Sequence, residues 1–123
     1  MMQKNPPPHL SRGHKAEDMA CAHLQQQGLT LETRNYRSPY GEIDLIMRER
    51  DTLVFVEVRF RQSADFGTPL ETVDARKQAK LRATAEHYLQ HTPQASKKAC
   101  RFDIVAICGD GDDSLSWHRN AFE

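Results

Sequence analysis

The run Leu53-Val54-Phe55-Val56 constrains the fold of this chain more than any other stretch. It is apolar at four consecutive positions, so as a strand it presents apolar side chains to both faces. Such a strand must be central in a sheet and covered on both sides. Residues 42–48 read as its hairpin partner, with residues 52–60 as the strand itself and the turn near Arg50-Asp51. Residues 13–27 precede them as a helix, with Ala16, Met19, Ala20 and Leu24 on one stripe and Gly28 as its stop. A first strand follows over 29–36, and Ser38-Pro39-Tyr40-Gly41 is a turn. Residues 73–91 form a second helix with Leu81, Ala85 and Tyr88 facing the core. Thr72 or Asp74 is placed to cap it, and Pro93 follows its end. Phe102 to Cys108 is a further strand, Gly109 to Asp113 a turn, and Leu115 to Arg119 a short final strand. The order is helix, three strands, helix, two strands. That order predicts an α/β domain, a mixed central sheet flanked by helices.

The chain has 123 residues, enough for one domain with one modest core. Its N-terminal residues 1–12, with Pro6-Pro7-Pro8, read as a poorly ordered tail before a single domain over 13–123. No apolar run is long enough for a membrane span, and the N-terminus lacks the apolar core of a secretory signal. Three scattered cysteines, Cys21, Cys100 and Cys108, do not make a disulfide framework, and no zinc-ligand spacing is present. A reducing cytoplasm is the expected compartment. Seventeen basic residues balance seventeen acidic ones. Zero net charge is unusual for a nucleic-acid binder, although basic residues crowd segments such as Arg76 to Arg82 and Lys97 to Arg101.

The chemistry resides in the hairpin. An even-length turn centred between Arg50 and Asp51 sets Asp44 opposite Glu57, and Glu42 opposite Arg59. Opposed Cβ atoms lie roughly 4.5–5.5 Å apart, and like charges so placed repel. An apolar surrounding raises the cost. Two remedies exist: one carboxyl keeps its proton, or a cation sits between them. Oxygen-only ligands suit Mg²⁺ or Mn²⁺, which polarises a phosphoryl oxygen and activates water. An odd loop length would instead place the two acids on opposite faces. Isolated strand acids are more often solvated or ion-paired than functional, and Glu42 with Arg59 reads as a cross-strand ion pair.

These residues resemble a known pattern. Gly41-Glu42-Ile43-Asp44-Leu45-Ile46 followed by Val54-Phe55-Val56-Glu57-Val58-Arg59 looks like the hairpin of PD-(D/E)xK nucleases. The chain more closely resembles the YraN family of predicted endonucleases, similar to Holliday junction resolvases. Gly13, Glu17 and Ala20, Asn35-Tyr36-Arg37, Lys77, Lys80-Leu81, Tyr88-Leu89, Arg101-Phe102-Asp103 and Ala121-Phe122 extend the match over residues 13–122. The resemblance implies a restriction-endonuclease-like core, α-β-β-β-α-β plus a final short strand. It implies Asp44 and Glu57 as metal ligands, helped by the Val58 carbonyl. It further implies catalytic roles for Glu17, the additional acid of such sites, and for Gln78 near the start of the second helix. On periodicity alone Glu17 is a solvated helix residue, and Gln78 is equally a cap or surface amide.

One position departs from the pattern: Arg59 stands where the motif has lysine. Arginine stays protonated, so it cannot be a general base, but it can neutralise charge on a phosphate. The expected function is a metal-dependent endonuclease acting on branched or structured DNA, with a homodimer by analogy. The alternative is a nucleic-acid-binding or partner-binding module on the same fold without turnover; a metal-binding structural domain is a third reading. The loop Arg61 to Leu70 is a candidate for contacting nucleic acid. Trp117 with His118 could stack on a base, though packing at the sheet edge is the commoner role. His14, His23, His87 and His91 read as solvated helix residues. Asp103 matches a family position but reads as a strand start rather than a ligand.

Overall fold

A computed structural model describes residues 8–61, 71–109 and 114–123. Helix α1 (Pro8–Gln26) leads into strands β1 (Thr30–Ser38), β2 (Gly41–Glu49) and β3 (Thr52–Arg61). Helix α2 (Ala75–Gln90) follows, then a 3-10 turn (Pro93–Ala95), β4 (Ala99–Cys108) and β5 (Ser114–Phe122). The five strands form one sheet in sequence order. Only the β3–β4 pair is parallel, because α2 provides the crossover that a parallel pair needs. The expected mixed sheet flanked by helices is therefore the observed α/β architecture, consistent with a restriction-endonuclease-like core.

β3 is central, as its apolar run requires: Leu53, Val54, Phe55 and Val56 are all buried. Val54 and Val56 pack with Ala16, Ala20 and Leu24 of α1, while Leu53 and Phe55 pack with Leu81 and Ala85 of α2. Alternate residues of one strand thus feed two cores on opposite faces of the sheet. The β2–β3 hairpin closes through two residues between the pair Glu49 and Thr52, with Arg50 in the left-handed region at φ 56°. Asp74 caps α2 through its carboxylate, which accepts the Lys77 amide at 2.8 Å.

Helix α1 begins at Pro8, five residues before the expected start; a proline is suited to a helix's first turn. Residues 1–7 of the expected tail lie outside the described residues. β5 runs to Phe122, past the expected end at Arg119. The extension follows a bulge in the β4–β5 ladder between Phe102 and Ile104, with Asn120 at φ 51°. Past this break Phe122 stacks on Phe102 at 4.9 Å, and that burial carries the strand onward.

Candidate active site at a fork in the sheet

The hairpin register is the one read from the sequence: Leu45 faces Val56, and every pair from there to the turn keeps step. The next position in that register would join Asp44 to Glu57, and there the ladder ends. β2 continues beside β1 as far as Gly41, opposite Ser38. β3 continues beside β4 as far as Arg61, opposite Cys108. The sheet therefore forks, with Asp44 and Glu57 at the apex.

A local irregularity sets the fork. Leu45 packs in the core beneath α1, whereas Ile43 packs in the core beneath α2. In a regular strand the two would share a face, so the pleat breaks at Asp44. The neighbouring strand breaks at the matching point: Asn35, between the pairs Arg34–Leu45 and Tyr36–Ile43, has φ 53°. Asparagine is among the few residues that tolerate this conformation. Asp44 Oδ2 accepts the Val58 amide at 2.8 Å, replacing the missing ladder bond. A strand residue directs its N–H and C=O to the same side. The Val58 carbonyl is thereby directed into the fork as well.

The electrostatics are uneven. Burial, and then the nearby charge of Glu57, push the Asp44 carboxyl from 3.8 up to about 8, against the Val58 hydrogen bond, which lowers it. Glu17 raises it further and Lys77 lowers it. Glu57 is only 5% exposed and shares a face with Phe55 and Arg59. Its Oε2 lies 3.4 Å from Arg59 Nε and 3.6 Å from Lys77 Nζ. One acid thus has two cations beside it, while the other is held largely neutral by its surroundings.

The remaining expected site residues divide. Glu17 is half-buried and ion-paired to Arg34 at 3.3 Å, close enough to influence Asp44. Gln78 Nε2 donates to the Val73 carbonyl at 2.9 Å, a cap-like role. The expected Glu42–Arg59 ion pair does not form, because the strands have parted before reaching those residues. Glu42 pairs with Arg37 of β1 at 3.3 Å, and Arg59 Nη2 donates to the Thr72 carbonyl at 2.8 Å. Arg59 Nε is buried against Glu57 without an aligned hydrogen bond. Arg59 thus ties β3 to the segment leading into α2.

Lys77 is the residue for which the strand pattern gave no role. The signal lay in Asp74: an N-cap there places Lys77 in the first turn of α2, the end of the helix that overhangs Glu57. Among the described residues no group of three or more His, Cys, Asp or Glu side chains is placed to hold a metal ion. The donors at the apex are instead two carboxylates and one carbonyl, a set that suits a hard cation retaining several waters.

Two other candidates are structural. Asp103 is fully buried on β4, where it accepts Trp117 Nε1 at 2.8 Å, the Asn120 amide at 2.9 Å and Arg101 Nε at 3.0 Å. Trp117 packs against the α1-side core with its face under Arg119 at 4.5 Å, so it is not presented as a free stacking surface. His87 is hydrogen-bonded to the Tyr36 hydroxyl and His23 meets the edge of Trp117, so neither is simply solvated. Of the loop Arg61 to Leu70, residues 62–70 lie outside the described residues. No helix among the described residues is long and apolar enough to cross a membrane.

A family model described as "Uncharacterised protein family UPF0102" matches residues 16–107. A UPF0102 protein of Nitrosococcus oceani is 48% identical over 118 residues, 95% of each chain. Those of Pseudomonas entomophila and Shewanella loihica are each 50% identical, covering 90% and 93% of this chain and 92% and 96% of their own. With these matches spanning the fork, both helices and most of the sheet, the chain belongs to the UPF0102 family, the YraN family that its hairpin resembles.

Proposed function

We propose that this chain is a metal-dependent endonuclease of DNA, hydrolysing a phosphodiester seated at the fork between β2 and β3. The observation that carries the reading is Asp44, a half-buried acid at the sheet's break, whose carboxyl is pushed up to about 8 beside the buried acid Glu57. A strongly perturbed acid at an opening in a rigid sheet is a common mark of a functional site. Asp44, Glu57 and the Val58 carbonyl are the groups that would hold Mg²⁺ or Mn²⁺. Such an ion would offset the repulsion between the acids and polarise a phosphoryl oxygen.

The chain's own residues then take distinct tasks. Lys77 stands in the first turn of α2, its side chain half-exposed. It offers a phosphate the positive charge that Arg59, tied to Thr72, does not freely present. Arg59 holds the entry to α2 in place, and with it Lys77. Glu17 adds negative charge behind Asp44 and is itself balanced by Arg34.

One observation favours the alternative, a nucleic-acid-binding module without turnover. The arginine at the motif lysine's position is committed to contacts with Glu57 and the Thr72 carbonyl, and an arginine cannot serve as the general base that a lysine there could be. A cleavage assay separates the two readings. The full chain, Asp44→Asn and Glu57→Gln are incubated with flapped, four-way and duplex DNA, with Mn²⁺, with Mg²⁺ or with chelator. Metal-dependent cleavage by the parent, lost in both variants, supports the endonuclease. Salt-dependent DNA binding without cleavage supports the module.

A further inference from the structure

Tyr40 is the only exposed large hydrophobic residue among those described, at 57% exposure. A single exposed tyrosine is ordinary; this one is distinguished by how firmly its turn is held. Ser38 Oγ donates to Thr84 Oγ1 of α2 at 3.1 Å and accepts the Tyr40 amide at 3.1 Å. Thr84 is fully buried and is anchored in turn on the Lys80 carbonyl at 2.8 Å. Gly41 closes the turn against the helix so tightly that an added Cβ would lie 3.3 Å from Thr84 Oγ1. The Tyr40 and His87 rings meet in a T-shaped arrangement, with centroids 6.4 Å apart.

The surroundings are basic. Arg37 is 81% exposed although its Nε is paired with Glu42. Lys80 is exposed on α2 beside Gly41 and lies one helical turn beyond Lys77. Tyr40 also precedes Asp44 by four residues, in the turn that opens β2, at most about 13 Å along the chain. About four stacked nucleotides span that distance at roughly 3.4 Å each.

We infer that Tyr40 is a stacking platform for an unpaired base of a DNA strand whose backbone runs past Arg37, Lys80 and Lys77 to the fork. Aromatic rings held on rigid elements stack bases without reading their identity, while neighbouring cations follow the phosphates. A platform a few nucleotides from the cleavage point selects DNA in which a base near that point is already unpaired. The inference rests on the proposed nuclease reading and specifies its substrate: a flap, gap or junction rather than a continuous duplex.

The test measures binding by the full chain in chelator, so that no cleavage intervenes. Labelled DNA with a single-stranded flap is compared with a blunt duplex for the parent, Tyr40→Ala and Tyr40→Trp. The expected result is a loss of about tenfold in affinity for flapped DNA in Tyr40→Ala. Tyr40→Trp should retain the parent's affinity, and duplex binding should change by less than about twofold in both. Thermal unfolding of the variants should match the parent, because the ring is exposed. Flap binding unchanged in Tyr40→Ala, or an equal loss on both DNAs, overturns the platform alone. Absence of DNA binding by the parent overturns the nucleic-acid reading and the platform with it.

Discussion

The Asp44 carboxylate accepts the backbone amide of Val58 at 2.8 Å, across a hairpin whose backbone ladder has ended one residue earlier. A side chain thus completes the work of a missing rung. The bond fixes Asp44 at the apex of the fork and satisfies an amide that has lost its ladder partner. It lowers the carboxyl's affinity for a proton, but not by enough to offset burial and Glu57. A local structural role and a poised charge therefore reside in one residue.

That balance gives a pH dependence of definite sign. In the unfolded chain Asp44 has its ordinary value of 3.8; in the folded chain it is near 8. Between these values the folded state holds a proton that the unfolded state has lost. Stability from this group is fully present below about pH 4 and is lost as pH rises through 8. The slope is at most about 1.4 kcal/mol per pH unit. Denaturant unfolding in chelator at pH 5, 6, 7 and 8 should show the parent losing stability relative to Asp44→Asn, whose amide oxygen still accepts from Val58. Parallel curves for the two proteins would refute the assignment.

A divalent cation should relieve the same penalty. Mn²⁺ or Mg²⁺ at about a hundred times its dissociation constant should stabilise the parent by about 2.7 kcal/mol, a thermal shift of several degrees. Asp44→Asn and Glu57→Gln should lose most of that shift. Thermal melts with and without metal at pH 7.5 check it. A shift retained in both variants would place the cation elsewhere.

Much of this site was legible in the sequence because a hairpin with a two-residue turn leaves no freedom of register. Fixing the turn between Arg50 and Asp51 fixed Asp44 against Glu57, and the apolar run at Leu53–Val56 fixed β3 in the middle. The register alone does not say where a ladder stops. The fork depends on a broken pleat at Asp44 and a left-handed Asn35 on a neighbouring strand. For that reason the Glu42–Arg59 pair, correct in register, is absent in space. Lys77 was hidden for a different reason: its place beside Glu57 depends on where α2 docks, which no periodicity within α2 contains. The length of β5 was hidden likewise, since a bulge and the Phe102–Phe122 stack extend it.

Asp103 tests whether buried acids in this fold are interchangeable. It occupies the α1 face of β4, with Trp117, whereas Glu57 occupies the α2 face of β3. Replacing it with alanine orphans the Trp117 indole, the Asn120 amide and part of the Arg101 guanidinium. Breaking such a buried pair costs roughly 3–5 kcal/mol. Asp103→Ala should therefore melt well below the parent, while metal still raises its melting temperature by the parent's increment. Loss of the metal increment in a folded Asp103→Ala would make Asp103 part of the site.

The division between Lys77 and Arg59 is open to a direct comparison. Lys77 is half-exposed and bears only a long ion pair to Glu57, so Lys77→Ala should leave stability within about 0.5 kcal/mol of the parent. Its effect should fall on substrate: cleavage lower by about a hundredfold, a loss of the size seen when one charge-stabilising group is removed. The salt dependence of DNA binding should drop by close to one counterion. Arg59→Ala should behave in the opposite way. It removes a donor from the Thr72 carbonyl and a cation from beside the buried Glu57, so it should destabilise the fold by about 1–3 kcal/mol. Its salt dependence should match the parent's. Lys77→Arg, which keeps the charge, should recover most of the binding, and Arg59→Lys should not compensate for Lys77→Ala. If Arg59→Ala instead flattens the salt dependence while Lys77→Ala leaves it unchanged, then the strand arginine contacts the phosphate. The helix lysine would then be no more than a partner for Glu57.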